Sequence, residues 1–447
     1  MSNQELLPIP NIPDAKYKRI VIVGAGFAGL MLAQKLSNKA YQVVLLDKNN
    51  YHMFQPLLYQ VATAALSPSA VSFPLRRLFH KTDNVIFRMA VVREIDKSAK
   101  TILTNLGTLT YDMLVLSQGA NTNYFGNQNI KKFCAPMKTT SEALYIRNKI
   151  ISNYERAVNI ANPAERKPIM NVVIVGGGAT GVELAGSIAE LRNNVLPKDY
   201  PQLSFENMRV ILIEASGSLL NGLTQKSREK ALEYLQKLGV EVMLNTMVED
   251  YDGFVVKLKE KDPIETLTLL WAAGIKANSL IGVEEDQMAP NGRLLVDEFN
   301  CLKGEKDIYV LGDQCLQVEE KFPKGHPQVA QVAIQQSKNL AKNLLGDLKQ
   351  KPWKPFRYND LGSMATVGKK MAVVDLPFVS FQGFFAWFVW LFVHLMAILG
   401  VKNKLMVFIT WAWKYLSFDP SLRLLIRPRY VKDFKRQWML EEKDYED

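Results

Sequence analysis

The sequence predicts an α/β protein made of two Rossmann-like dinucleotide-binding domains plus a C-terminal helical membrane-anchoring region. Three observations predict it. Gly24-Ala25-Gly26-Phe27-Ala28-Gly29 follows an aliphatic run at 19–23. Gly176-Gly177-Gly178-Ala179-Thr180-Gly181 follows a second run at 171–175. An apolar, tryptophan-rich stretch lies toward the C-terminus.

In the first unit, residues 19–23 read as a short buried strand bounded by glycine. Gly24, Gly26 and Gly29 leave room for the backbone to approach a pyrophosphate. The helix expected over 28–36 points its N–H groups and positive dipole end at that anion. A second run, 43–46, ends at Asp47, where a carboxylate can accept hydrogen bonds from ribose hydroxyls. A lone GxGxxG is a weak signal; strand, helix and terminal acid together make it a nucleotide site.

The second unit repeats the pattern with Gly176, Gly178 and Gly181, a helix over 181–191, and a strand over 210–213 that ends at Glu214. Glu214 would repel a 2′-phosphate, and Ala215-Ser216-Gly217 offers no arginine to hold one. This site is therefore expected to take NADH rather than NADPH.

A chain of 447 residues exceeds one typical domain. Its 55 Lys and Arg against 44 Asp and Glu give a net charge of +11, which favours anionic partners. There is no basic, aromatic-interleaved module of the nucleic-acid type, so cofactor phosphates and an anionic membrane surface are expected and nucleic acid is not. Cys134, Cys301 and Cys315 form no C-x-x-C or C-x₄-C pair and no zinc or iron–sulfur spacing, so neither a disulfide relay nor a metal is expected. The N-terminus carries Pro8, Pro10 and Pro13 and no apolar core of a secretory signal.

After the second unit the chain is expected to return to the first. Residues 306–311 read as a strand ending at Gly312-Asp313, and an Asp there can bind the ribityl hydroxyls of a flavin. The helix expected over 327–345, with Pro327 first and Gly346 just past its end, would turn its positive end toward a reduced flavin ring. This order assigns FAD to the first fingerprint, with Gly119 of the Ser117-Gln118-Gly119-Ala120 turn, and NADH to the second, with Gly274 of Trp271-Ala272-Ala273-Gly274-Ile275. Residues 138–159 have a helical pattern, and Ala161-Asn162-Pro163 with Lys167-Pro168 read as a linker. The expected boundaries are an irregular arm at 1–16, the FAD domain at 17–126 and 285–346, the NADH domain at 127–284, and the membrane-association region at 347–447.

Residues 383–401 contain no Asp, Glu, Lys or Arg and are crowded with Phe384, Phe385, Trp387, Phe388, Trp390 and Phe392. A second apolar stretch covers 406–416, and 402–436 hold nine Lys or Arg against Asp419 and Asp433. A core helix pair, a transmembrane span and an interfacial anchor compete. A span at 383–401 would place the basic tail across the membrane from a positively charged body, against the positive-inside tendency. A monotopic anchor is therefore preferred, with the span as the alternative.

These residues resemble the type II NADH:quinone oxidoreductases, single-subunit, non-pumping NADH dehydrogenases. The resemblance covers nearly the whole chain. It rests on the Gly24 fingerprint, on Asn50-Tyr51-His52-Met53-Phe54-Gln55-Pro56-Leu57-Leu58-Tyr59-Gln60, and on Gly176-Gly177-Gly178-Ala179-Thr180-Gly181-Val182-Glu183-Leu184-Ala185. It rests also on Leu311-Gly312-Asp313, on Ala330-Gln331-Val332-Ala333-Ile334-Gln335-Gln336, and on the aromatic tail. It implies FAD, NADH, a quinone (ubiquinone and menaquinone both stay open), a homodimer, and a place on the inner (plasma) membrane with the catalytic body on the cytoplasmic side.

The resemblance also implies that Gln331 and Gln335, four apart on one helix face, line the quinone pocket; amides can hydrogen-bond quinone carbonyls without adding charge. Glu183 stands two residues past Gly181, in what reads as the first helical turn, where an acid is ordinary. The resemblance instead places it near nicotinamide, flavin and quinone, to orient NADH or to relay protons. One departure is Ser117-Gln118-Gly119, where related chains often read Ala-Thr-Gly. The implied reaction is FAD-dependent oxidation of NADH with two-electron reduction of a membrane quinone, without proton pumping. Two rivals remain: a sulfide:quinone-type reductase, which needs a cysteine pair near the flavin, and an NADH-binding redox-signalling flavoprotein with slow turnover.

Overall fold

The structure, a computed structural model, describes residues 7–206, 208–417 and 422–425. Strand β1 (Arg19–Val23) leads through the first fingerprint into helix α1 (Phe27–Leu36), and β2 (Gln42–Asp47) ends at the expected acid. Helix α2 (Leu58–Ala62) and strands β3 (Val85–Met89), β4 (Met113–Leu116) and β5 (Ala120–Thr122) follow. The second unit holds α3 (Thr140–Val158), α4 (Pro163–Met170), β6 (Val172–Val175), α5 (Ala179–Asn194), β7 (Val210–Ile213), β8 (Glu241–Met243), β9 (Thr268–Trp271) and β10 (Ile275–Ala277). Strand β11 (Ile308–Val310) and helix α6 (Ala330–Asp347) come next. Strands β12 (Ser363–Gly368), β13 (Met371–Asp375) and β14 (Ser380–Gln382) precede helices α7 (Phe384–Ala397) and α8 (Val401–Ser417).

Two parallel five-stranded sheets share one plan. The first runs β11-β4-β1-β2-β3; the second runs Ala135–Pro136, then β9-β6-β7-β8. Each fingerprint strand is central, with the acid-bearing strand on one side and a later strand on the other. The crevice at the C-terminal ends, where the strand order reverses, is where doubly wound sheets bind ligands. Helices cover both faces, so the central strands are buried on both sides and read as continuous aliphatic runs. β11 does return to the first sheet, as expected, and β5 pairs antiparallel with β10 to join the two units.

Three local expectations need correction. The segment 161–168 is not a linker but the start of α4: Asn162 caps it by accepting from the Ala164 N–H, and Pro163 takes the first turn. Helix α6 starts at Ala330 rather than Pro327, because Pro327 and Val329 close a turn before it, and Gly346 lies within its last turn. The stretch 347–383 contains the sheet β12-β13-β14, which the sequence did not announce. Its first hairpin turns through Lys370 at φ +66°, a left-handed position usually marked by Gly or Asn.

The apolar stretch 383–401 is not one continuous helix. α7 has 14 residues, about 21 Å of axis against a hydrocarbon core of about 30 Å. The chain breaks at 398–400 and resumes as α8. No helix among the described residues is long and apolar enough to cross a membrane, so the spanning alternative finds no support. Phe384, Phe385, Phe388 and Phe392 are exposed on α7, as are Leu405, Phe408, Ile409 and Trp413 on α8, while Ala386 and Trp390 face inward. The basic residues beyond Arg423 and the first six residues of the arm lie outside the described residues.

Candidate functional site: two dinucleotide cradles and an acid-floored cleft

The two fingerprints fold alike. Gly24 sits at φ +99° with a would-be Cβ 2.4 Å from the Ser117 carbonyl, just past β4; Gly176 sits at φ +111° with one 2.7 Å from the Ala272 carbonyl, just past β9. A Cβ at Gly29 or Gly181 would lie 1.9 or 1.8 Å from the carbonyl of Gly24 or Gly176, so any side chain would push the helix off its strand. Gly26 and Gly178 cap α1 and α5 without a side-chain hydrogen bond, and a Cβ at either meets nothing within 4 Å. Uncapped helix N–H groups facing open space are what a pyrophosphate requires, so both cradles fit a dinucleotide.

The acids close both loops. Asp47 accepts from the N–H groups of Ala25 and Asn49, each at 2.7 Å. Glu214 accepts from the Gly177 N–H at 2.5 Å and from the N–H and hydroxyl of Ser216, each at 2.7 Å. Gly119 and Gly274 sit at φ +72° and +75° in the turns after β4 and before β10. Gly312 follows β11 at φ +73°, and its N–H donates to Gln336 Oε1 at 2.7 Å. Asp313 faces Lys138, with Nζ 3.6 Å from Oδ2. Helix α6 begins at the uncapped Val329, so its first N–H groups also lack a side-chain partner.

Glu183 lies in the second turn of α5, not the first, and is buried. A helix-start acid is thus the wrong description: its carboxylate leaves the dipole end and faces a cleft. Ser187 and Glu190 line the same cleft from later turns of α5. Tyr59 and Gln60 enter from α2, Thr366 from β12, Trp390 from α7, and Trp411 and Lys414 from α8. Burial pushes the Glu183 carboxyl up to about 8; the Thr366 N–H, at 3.5 Å, and the approaching Trp390 indole offset part of that rise. The indole N–H itself reaches no hydrogen-bond partner. At the rim, Glu190 accepts from the Lys369 N–H and stands 3.5 Å from Lys414 Nζ.

Gln331 and Gln335 do not line this cleft. Both are half-buried on α6, and Gln335 uses both ends of its amide on the Asn359 backbone, accepting its N–H at 3.1 Å and donating to its carbonyl at 2.9 Å. The amide that reaches inward is the neighbouring Gln336, fully buried between Gly312 and Cys315. Sequence reasoning also passed over Tyr59 and Gln60, although they end the 50–60 motif, and the inward tryptophans of the tail. His52 is buried against the Ala25 carbonyl and His394 stacks on Trp390; burial lowers both, His394 to about 4. The three cysteines are free and buried, and burial pushes Cys134 and Cys301 up to about 12 and Cys315 to about 11.

Comparison with known proteins agrees with this layout. Residues 18–337 match the pyridine nucleotide-disulphide oxidoreductase family model, and 361–417 match the NDH2 C-terminal domain. The chain is 35% identical over 426 residues to the type II NADH:quinone oxidoreductase Ndh of Mycobacterium tuberculosis, covering 91% of this chain and 90% of that protein. It is 27% identical to the type II NADH:quinone oxidoreductase of Haemophilus influenzae, covering 91% of this chain and all of that one. A structure of NDH2 from Plasmodium falciparum in complex with NADH shares the fold, with a TM-score of 0.84 at 23% identity, covering 92% of this chain and 100% of that one. With two dinucleotide cradles, a matching C-terminal domain and relatives aligned nearly end to end, the chain belongs to the type II NADH:quinone oxidoreductases.

Proposed function

We propose a division of labour for this FAD-dependent NADH:quinone oxidoreductase: the second fingerprint holds NADH, the first holds FAD, and Glu183, on the floor of a small cleft, hands the quinone a proton. The observation that carries the reading is the placement of Glu183. It stands on α5, the helix whose N-terminus forms the NADH cradle, and it also faces a cleft walled by α7 and α8. One helix thereby links the donor site to the apolar tail.

Bound FAD supplies the acceptance of a hydride and its onward passage as an electron pair. The chain does the rest. Gly24, Gly26 and Gly29 admit one pyrophosphate to the end of α1, and Asp47 meets its ribose; Gly119, Gly312 and Asp313 complete that cradle. Gly176, Gly178 and Gly181 do the same at α5, with Glu214 at the adenosine ribose and Gly274 across the crevice. Glu183 keeps a proton through neutral pH because burial disfavours its charged form. It can donate that proton to a reduced quinone oxygen and be recharged. Gln331, in the first turn of α6 and outside the Glu183 cleft, would meet the quinone from the flavin side; Gln335 acts at one remove, by fixing the Asn359 segment.

The exposed phenylalanines of α7, the apolar face of α8 and the lysines at 402, 404 and 414 suit an interfacial anchor on an anionic leaflet. We place the body on the cytoplasmic side of the plasma membrane. The sulfide reading lacks what it needs, since the three thiols are unpaired, buried and held far above neutrality.

The test is NADH oxidation by purified, FAD-loaded protein with a short-chain quinone, beside reduction of the soluble oxidant ferricyanide. Gln331→Leu is expected to lower quinone turnover about tenfold and leave ferricyanide reduction within twofold. Equal losses overturn the assignment of Gln331, and no turnover with quinone overturns the enzyme reading.

A further inference from the structure

Two links of the cleft are fixed by hydrogen-bond logic. The Trp411 indole N–H, from α8, lies 2.8 Å from Gln60 Oε1. An indole only donates, so this contact orients the Gln60 amide: its oxygen faces Trp411 and its NH₂ faces the other way. That NH₂ donates to the Tyr59 hydroxyl oxygen at 2.8 Å. Tyr59 therefore accepts from Gln60, and its own proton must point elsewhere. Tyr59 lines the cleft with Glu183, Ser187 and Glu190.

The two carboxylic acids of this cleft share one helix. Glu183 and Glu190 are seven apart on α5, two turns along one face. Ser187 stands between them, its hydroxyl 2.9 Å from that of Thr63. Burial raises the Tyr59 hydroxyl well above its ordinary value, and the charges of Glu183 and then Glu190 add to the rise, so the hydroxyl feels both carboxylates. The cleft interior holds about 50 Å³, room for a few waters between these groups. The outer end opens beside Lys369, whose backbone N–H donates to Glu190, and beside Lys414, whose ammonium stands 3.5 Å from Glu190. At the inner end Glu183 meets the Thr366 N–H and the Trp390 indole, on which His394 stacks.

Reduction of a quinone to a quinol takes up two electrons and two protons. The hydride of NADH carries both electrons and one proton, so each turnover draws one further proton from water. We propose that this proton travels from the rim at Glu190 through the Tyr59 hydroxyl and cleft water to Glu183, with Trp411 and Gln60 as positioning residues that aim the Tyr59 proton inward. The inference rests on the reading of Glu183 as the proton donor to the quinone. It also gives the tail a second task, because docking of α8 sets the orientation of Gln60.

Tyr59→Phe, Glu190→Gln and Glu183→Gln separate the two ideas. Quinone and ferricyanide reduction are measured from pH 6 to 9 in H₂O and D₂O; ferricyanide takes up electrons and no proton. Tyr59→Phe and Glu190→Gln are expected to lower quinone kcat about tenfold or more at pH 8, with the loss deepening as pH rises and a larger solvent isotope effect than wild type. Wild-type quinone kcat, pH profile and isotope effect in both variants, with Glu183→Gln inactive toward quinone, overturn the route and leave the Glu183 reading standing. Full quinone activity in Glu183→Gln overturns that reading itself. If Tyr59→Phe also loses ferricyanide reduction, its fold has suffered, and Trp411→Phe carries the test. That change frees the Gln60 amide to turn while keeping the tyrosine; an unchanged isotope effect and pH profile then refute the route.

Discussion

Replacing Glu183 by Gln removes a titrating proton from a buried site, and the effect on stability can be worked out with its sign. Burial moves this carboxyl from 4.5 to about 8. Between those values the unfolded chain has lost the proton while the folded chain still holds it. The folded state binds more protons, so stability falls as pH rises from about 4.5 to about 8 and is level above that. At about 1.4 kcal/mol per pH unit the cost approaches ~5 kcal/mol by pH 8, an upper bound because water in the cleft relieves part of it. Glutamine fills the same volume and cannot ionise. The variant should therefore match wild type near pH 4.5 and exceed it at pH 8 to 9 by several kcal/mol. At about 2 °C or more of melting temperature per kcal/mol, that is a gap of roughly 5–10 °C. Thermal melts of both FAD-loaded proteins from pH 5 to 9 measure it. Parallel curves, with no gap opening toward alkaline pH, would show that Glu183 is ionised or solvated in the folded protein, and the argument for a protonated acid would fail with it.

Two further perturbations test the cradle and the tail separately. Glu214→Gln keeps the size of the side chain but removes its charge and one of the two oxygens that accept from Gly177 and Ser216, so the preference for NADH over NADPH in kcat/KM should drop at least about tenfold; an unchanged ratio would mean that Glu214 does not read the ribose. Gly186→Ala places a methyl where a Cβ would lie 1.7 Å from the Val367 carbonyl, so α5 and β12 must separate, at a cost of about 1–3 kcal/mol. A melting temperature lower by several degrees and a selective loss of quinone over ferricyanide reduction are expected, and a wild-type melt would refute the contact.

The dinucleotide half of the molecule was legible because its physics is local in sequence. Strands buried on both faces must be aliphatic throughout, a helix start that meets a phosphate must be glycine, and the acid must end the next strand. Gly24 to Asp47 and Gly176 to Glu214 obey this within one βαβ unit each. The acceptor half depends on contacts far apart in the chain. Glu183 meets Thr366, and Gln60 meets Trp411, 351 residues away. Nothing local distinguishes an inward tryptophan from one facing lipid. The helical period on α7 gives a hint, since Ala386 and Trp390 are four apart and inward while Phe385, Phe388 and Phe392 are outward. In the same way Gln331 and Gln335 stood out by spacing, yet Gln336 carries the inward contact with the Gly312 turn.

Helix α5 explains why such distant segments must come together. Its N-terminus forms the second dinucleotide cradle, at Gly178. Glu183 leaves the cradle one turn later, Gly186 lets the β12 backbone sit directly on the helix, and Ser187 and Glu190 continue the polar face to the rim. A side chain at 186 would lift β12 and carry Thr366 away from Glu183, opening the cleft to bulk water. Solvation would then lower the Glu183 pKa toward 4.5 and remove its proton at neutral pH. The glycine at 186, with no nucleotide contact of its own, is thus what keeps the acid dry. The order of residues along this one helix couples nucleotide binding, tail docking and the protonation state of Glu183.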